Sequence, residues 1–317
     1  MEQDIMPFLP VFGHRPSNLV GREQAVSDFL AALSSAPGHR SRVNLIAAHK
    51  GMGKTALLAE LESWAQAQGY ACLRSLPDES VFSEMVQLSV EHKVFVGIDN
   101  ITCCTSALRA VAQAYVQLSS KGKEIVLVCA GRPDGIERML ANGAWAALRG
   151  AHRISLGPLP AGQTRGALRS GFAKAQVNVA EDVIALAAEQ TGGHPFLLQL
   201  VGSHLLYAAK DGAVTRGDAL QALDDAMSDL DDQLLVPMLA ALSNRDLEVL
   251  QAMATLGGSC TSAQLRAQLG IADNYLQPYR ARLIKSGVIY SPRRGQLAFA
   301  LPHLLEYLQA LASQHQK

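Results

Sequence analysis

Between residues 42 and 159, short apolar runs alternate with longer stretches in which apolar residues recur every three or four positions. The runs RVNLIA (42–47), YACLRS (70–75), VFVGID (94–99), EIVLVCAG (124–131) and HRISLG (152–157) predict strands. They are near-continuously hydrophobic, which suits strands covered on both faces. Segments such as TALLAELESWAQAQ, closed by Gly69, and TSALRAVAQAYVQLSS carry the helical period. Strands alternating with helices of this length predict βαβ crossovers and a parallel five-stranded sheet.

After Pro160 the strand signals stop. AGQTRGALRSGFAKA, AEDVIALAAEQTGG, PFLLQLVGSHLLYAAKDG and TRGDALQALDDAMSDL read as a run of helices punctuated by glycine. The acidic stretch from Asp225 to Asp232 predicts a hinge or a helix end. From Ser243 a third pattern begins. SNRDLEVLQAMATLGG is a capped helix, and TSAQLRAQLG is a second with Thr261 or Ser262 as its cap. PYRARLIKSG is a third, with Pro278 suited to its first turn. VIYSPRRGQLAFA reads as two short strands around Pro292–Gly295, and HLLEYLQALA closes the chain with a helix. Three helices followed by a hairpin predict a winged helix-turn-helix. The expected organisation is an N-terminal arm (1–16), an α/β core (17–159), a helical lid (160–232) and a winged-helix domain (233–317).

Composition bounds the class. The 317 residues are 49% hydrophobic and 18% charged, enough to bury a sizeable core in two or three domains. Lys+Arg and Asp+Glu balance at 28 each, so any basic surface must be local. The cysteines are Cys72, Cys103, Cys104, Cys129 and Cys260. An odd count without a C-x-x-C pair suggests buried thiols in a reducing compartment. The first residues do not read as a signal peptide, and no window approaches ~20 apolar residues. The expectation is a cytoplasmic protein with no membrane partner.

The candidate chemistry lies in AAHKGMGKT, residues 47–55. Gly53-Lys54-Thr55 ends a phosphate-binding loop of the form G-x-x-x-x-G-K-[ST], set between an apolar strand and an amphipathic helix. Loop N–H groups and the helix N-terminus would cradle phosphates, Lys54 would reach the β- and γ-phosphates, and Thr55 would hold Mg²⁺. Gly51 and Gly53 allow close backbone approach, and Lys50, Met52 and Ala56 complete the loop. Ala48 stands where the pattern has its first glycine, at small cost if its φ is negative. VFVGIDN supplies a strand ending in an acid: Asp99 would ligate Mg²⁺ through water. Asn100 follows where a hydrolytic enzyme usually carries Glu, and an amide cannot serve as a general base.

Through these motifs the chain resembles the AAA+/STAND P-loop ATPases, especially small prokaryotic ATPases similar to archaeal origin-recognition proteins. The resemblance extends to NLVGREQAVSDFLAAL (18–33), TGGHPFLLQLVG (191–202) and YRARLIKSGVIYSPRRGQLAFALPHLLEYL (279–308). It implies that Val20, Gly21 and Arg22 sit near adenine and ribose and that Arg132 faces the γ-phosphate. It implies that Gly193, His194 and Pro195 close a lid over ATP or ADP. Arg22 has the plainer reading of a helix-start residue, Arg132 of a strand-end residue, and His194-Pro195 of a helix start.

Residues 275–302 contain no acid but include Arg280, Arg282, Lys285, Arg293 and Arg294. On a winged helix the first three fall on or near the recognition helix and the last two on the wing, where they would contact phosphates of double-stranded DNA. Packing of this domain against the core, or against a protein partner or a second copy, is the competing use. Two functions follow: a slowly hydrolysing nucleotide switch, with Lys54, Asp99, Asn100 and Arg132 around the reacting phosphate, or a non-hydrolysing DNA-binding or scaffold protein with structural nucleotide.

Overall fold

The computed structural model describes residues 6–11, 13, 16 and 19–314. Half of the expected N-terminal arm, and Asn18 of the NLVGRE stretch, lie outside the described residues. The chain divides into two compact units, 1–167 and 168–317, and passes between them within one helix.

The first unit runs α1 (Glu23–Leu33), β1 (Val43–Ala47), α2 (Lys54–Ala67), β2 (Ala71–Ser75), α3 (Ser80–Leu88), β3 (Val94–Ile101), α4 (Ser106–Ser120), β4 (Ile125–Gly131), α5 (Pro133–Ala141) and β5 (His152–Ser155). The five strands form one parallel sheet in the order β2-β3-β4-β1-β5. β4 is buried along its whole length, as its unbroken apolar run predicts. Alternate residues face opposite sides. Ile125, Leu127 and Cys129 join Val81, Met85, Leu108, Tyr115 and Trp145 on one face. Val126, Val128 and Ala130 join Phe29, Leu57, Leu58 and Leu61 on the other. β1 lies between β4 and β5, so the strand order reverses beside it, and ligands of such sheets bind at the C-terminal strand ends near that reversal. At the opposite end of the sheet, Arg42 is 2% exposed. It donates to the carbonyls of Leu33 and Ser35 and to the Tyr70 hydroxyl.

Past the connecting helix α6 (Ala161–Lys174), the second unit holds β6 (Asn178–Val179), α7 (Glu181–Thr191), α8 (Pro195–Tyr207), β7 (Ala213–Val214), α9 (Arg216–Leu230) and α10 (Val236–Ala240). The parallel pair β6–β7 corrects the expectation of helices alone; its strands are two residues each, too short for any periodic signal. At the acidic stretch α9 does end, at Leu230, but the chain continues through a π-helical turn (Asp231–Leu235) into α10.

The remainder is α11 (Asn244–Thr255), β8 (Ser259–Thr261), α12 (Ser262–Leu269), α13 (Asp273–Ser286), β9 (Ile289–Tyr290), β10 (Gln296–Phe299) and α14 (Leu304–Gln314). The three short strands form an antiparallel sheet in the order β8-β10-β9, one strand more than the predicted hairpin. Ser243 caps α11 in a capping box with Asp246, and Thr261 caps α12 in a second with Gln264. Pro278 does not open α13. The helix starts at Asp273 and carries the proline inside, where its ring leaves the Asn274 carbonyl without an amide from that position. Arg282 on α13 pairs with the buried carboxylate of Asp246 on α11 at 3.0 Å. The thiols are free, and Cys129 and Cys260 are buried as expected, but Cys103 is exposed and Cys72 and Cys104 are half-buried. Among the described residues no helix is long and apolar enough to cross a membrane.

Candidate functional site

The loop between β1 and α2 leaves the sheet at Ala48, whose N–H donates to the Gly131 carbonyl at the end of β4 (3.2 Å). Ala48 is buried and its φ is not positive, so this backbone asks for no glycine. The glycines that matter are Gly51 (φ 78°) and Gly53 (φ 84°), both left-handed. Gly53 is the residue before α2, and a Cβ there would meet nothing within 4 Å.

Lys54 opens α2 and folds back, its Nζ donating to the His49 carbonyl at 2.7 Å. Burial pulls its pKa down to about 8; the Asp99 carboxylate opposes that shift and the Arg132 guanidinium adds to it. Thr55 Oγ1 donates to Asp99 Oδ2 at 2.6 Å. Asp99 Oδ1 accepts the Asn100 N–H at 2.7 Å. The β3–β4 register shifts between Ile98 and Ile101, and within that irregularity Asn100 takes φ 58°, a conformation that asparagine tolerates better than most side chains. The Asn100 residue itself is exposed.

The structure therefore brings Lys54, Thr55, Asp99 and the neighbourhood of Arg132 together. Arg132 precedes α5 and forms a two-pronged pair with Asp134, Nε to Oδ1 at 3.0 Å and Nη2 to Oδ2 at 2.9 Å. Two members of this cluster were not singled out from the sequence. His49 has its proton affinity lowered, first by burial, then by the charges of Lys54 and Arg132, with Asp134 opposing. Its position inside the loop was the available signal. Asp134 follows Pro133 in the first turn of α5, where an acid reads simply as a helix-start residue. The loop residues Lys50 and Met52 differ: Lys50 is exposed and Met52 buried, as is Ala56 in the first turn.

Val20, Gly21 and Arg22 lie half-buried just before α1. Gly21 has φ 72°, and a Cβ on it would stand 2.3 Å from Gln163 Oε1 and 2.8 Å from Leu159 Cδ2. The positive φ favours glycine here, and a larger residue would also have to displace the Gln163 and Leu159 side chains. Arg22 Nη2 donates to the Gly157 carbonyl beyond β5 at 2.8 Å, and burial lowers its pKa against the opposing charge of Glu23. This ties the segment to the C-terminal edge of the sheet, the same edge as the loop.

His194 and Pro195 belong to the second unit. Gly193 (φ 74°) leads into α8, Pro195 is its first residue, and His194 is 3% exposed and accepts the Leu197 N–H. His194 is therefore a buried helix cap. Of the basic residues near the C-terminus, Arg293 and Arg294 sit in the exposed turn between β9 and β10, and Lys285 is exposed on α13. Arg280 is half-buried on α13 and Arg282 is engaged with Asp246 and lies over the Tyr279 ring.

Solved structures share this architecture. A Walker-type ATPase of Pyrococcus abyssi matches with a TM-score of 0.70 and 15% identity, covering 93% of this chain and 97% of that one. The ORC2 protein of Aeropyrum pernix, solved as ADPNP–ADP complexes, matches with a TM-score of 0.62 and 15% identity over 96% of each chain. The RuvB Holliday junction branch migration motor of Thermotoga maritima matches with a TM-score of 0.58 and 16% identity, over 93% of this chain and 98% of that one. The fold is that of the AAA+ P-loop ATPases. The α/β class and the resemblance expected from the motifs are both borne out. Residues 232–308 match a family model described as a domain of unknown function (DUF8462). No curated protein sequence matches the chain.

Proposed function

We propose that the chain binds ATP or ADP with Mg²⁺ and acts as a slowly hydrolysing, nucleotide-dependent switch whose winged-helix domain engages duplex DNA. The observation that carries this reading is the Thr55–Asp99 hydrogen bond, which couples a phosphate-type loop to a strand-end acid. The residues fit the ligand. Two left-handed glycines shape the loop that leads into the N-terminus of α2, and a desolvated Lys54 folds back onto the loop. The loop amides and Lys54 would hold the phosphates, and Thr55 and Asp99 would hold the metal. Bound Mg²⁺ would supply screening of phosphate charge. Val20–Arg22 would face the base.

Support for duplex DNA is of a different kind. RuvB acts at Holliday junctions, and Lys285, Arg293 and Arg294 present exposed cations on α13 and on the turn after it. Arg282 is committed to Asp246 and contributes less to such a surface.

A second reading, structural nucleotide without turnover, is favoured by Asn100, which has no carboxylate to activate water. Nucleotide content and ATPase rate of the purified chain, with and without duplex DNA, separate the two. A DNA-stimulated rate that Lys54→Ala abolishes supports the switch. Retained ADP with no turnover in either condition supports the second reading, and failure to bind either nucleotide with Mg²⁺ overturns both.

A further inference from the structure

The chain is neutral as a whole, but its cations are not evenly spread. The phosphate-type loop lies at the C-terminal ends of the strands. The opposite edge of the sheet is entered through basic segments. His39-Arg40-Ser41-Arg42 precedes β1, His92-Lys93 precedes β3, Lys121-Gly122-Lys123 precedes β4, and β5 opens with His152-Arg153. These four strands are consecutive neighbours, β3-β4-β1-β5, so their entries lie side by side at about 4.8 Å per strand. The acids facing them are Glu91 and Glu124 in the same segments, Asp28 on α1 and Glu137 on α5.

The entries touch one another. Lys123 Nζ donates to the Val90 carbonyl, just past α3 on the way to β3, at 3.0 Å. A Cβ on Gly38 would stand 3.4 Å from Ser119 Cβ near the end of α4, which sets the entry of β1 against that of β4. A cavity of about 460 Å³ separates the entries of β1 and β5, lined by His39, Arg40, Ser41, Gly150, His152 and Arg153. There His39 Nδ1 accepts the Ser41 N–H at 3.3 Å, so the neutral ring keeps its proton on Nε2 as a donor.

Cations at this edge have an ordinary use, because helices returning antiparallel to the strands end here and their C-termini favour positive charge. Arg42 serves that use, donating to the Leu33 carbonyl at the end of α1, and Lys123 does so beyond α3. His152 lies 3.8 Å from Asp28, and Arg153 pairs with Glu137. Arg40 and Lys121 do neither. Both are exposed, and neither side chain has a partner among the described residues.

We infer that this edge is a sequence-independent contact for the phosphate backbone of nucleic acid, carried by residues separate from Lys285, Arg293 and Arg294. Its cations sit on strand entries and repeat at strand spacing. No helix among these segments is offered to a groove, so they meet backbone charge rather than base edges. Inorganic polyphosphate carries the same charge chemistry and is the source to be separated.

Fluorescence anisotropy of the full chain tests it, with labelled duplex and single-stranded oligonucleotides of about 20 nucleotides in two unrelated sequences, titrated from about 50 to 200 mM NaCl. The double variant Arg40→Ala/Lys121→Ala is expected to weaken binding about tenfold at low salt for both sequences. Its slope of log affinity against log salt should fall by about two, at ~0.9 per lost phosphate contact. Arg40→Lys/Lys121→Arg should restore both. Arg293→Ala/Arg294→Ala tests the winged helix by itself, and its loss should add to that of the first pair. Wild-type affinity and slope in Arg40→Ala/Lys121→Ala overturn the inference and leave the winged-helix reading intact. A lowered melting temperature with unchanged binding assigns the pair to helix ends and overturns it too. A loss confined to one sequence overturns backbone recognition. Binding of inorganic polyphosphate with neither oligonucleotide bound overturns nucleic acid as the occupant.

Discussion

The Thr55 hydroxyl donates to the Asp99 carboxylate at 2.6 Å, joining the first turn of α2 to the end of β3. Two oxygens that a divalent cation could share already face one another. Thr55→Ala and Asp99→Ala are therefore expected to remove the Mg²⁺ dependence of nucleotide binding. Titration with ADP in Mg²⁺ and in EDTA should show the wild type losing at least about tenfold in affinity on chelation, with the two variants changing little. Equal Mg²⁺ dependence in all three proteins would remove the metal from this pair.

The residues of that pair could be read from the sequence because both are marked locally. Thr55 follows Gly-Lys at a helix start, and Asp99 ends an apolar run. The sheet was legible for the same reason, since β4 is apolar from end to end and is buried from end to end. What escaped depends on distant partners. Asp134 looks like an ordinary helix-start acid until Arg132 and Arg138 close on it. Arg42 opens the RVNLIA run with no local mark of burial, yet it is 2% exposed and donates to the carbonyls of Leu33 and Ser35 and to the Tyr70 hydroxyl. Arg282 also reaches back to Asp246, 36 residues earlier, a pairing that no local pattern announces. Pro278 reads as a helix start because propensity places prolines there, and packing of Leu276 and Leu283 into the core prevails over that preference.

The Arg282–Asp246 pair yields a stability prediction. Asp246 is 3% exposed, completes the α11 capping box with Ser243, and accepts from Arg282. Burial alone would raise its pKa, but the bonds from Ser243 and Arg282 outweigh burial and lower it. A carboxyl depressed in the folded state stabilises above its unfolded pKa, and the benefit is lost as pH falls through the folded value. Asp246→Ala is expected to cost about 2 kcal/mol at pH 7, since a cap and a buried bond go together. Arg282→Ala should cost less, because Arg282 is 51% exposed and its charge is screened. Urea unfolding at pH 7 and at pH 3 checks both: the wild-type advantage over Asp246→Ala should shrink at the lower pH.

Lys54 shifts in the same direction, but for a cation a lowered pKa is a penalty on the folded state at neutral pH. Its pKa falls from 10.5 to about 8, chiefly through burial, so the folded chain binds its proton less tightly than the unfolded chain does. Between these values the unfolded state holds more protons, and stability attributable to Lys54 rises with pH. Lys54→Met removes the buried charge and is expected to melt above the wild type at pH 7 in nucleotide-free buffer. That gap should narrow as pH rises from 7 to 9. The comparison must be differential, because Cys72, raised to about 11 by burial first and Glu62 second, contributes a fall in stability above pH 9 in both proteins. A gap independent of pH would show that Lys54 is not the group responsible.

Asn100 stands beside Asp99 at the end of β3, in a backbone conformation that suits an asparagine. At φ 58°, inside the β3 irregularity, it occupies the left-handed region that asparagine and glycine enter most easily. Asn100→Gly should therefore leave stability within about 0.5 kcal/mol, whereas Asn100→Glu should cost about 1 kcal/mol for forcing a less tolerant side chain into that conformation. The same Glu variant places a carboxylate beside Asp99, where a general base would stand. Under the switch reading its ATPase rate rises above the wild type despite the lower stability; under the structural-nucleotide reading it does not. Steady-state phosphate release and urea unfolding, measured on the same preparations, separate the chemical effect from the conformational one. A rate that rises equally in Asn100→Gly would assign the gain to loosened backbone rather than to the new carboxylate.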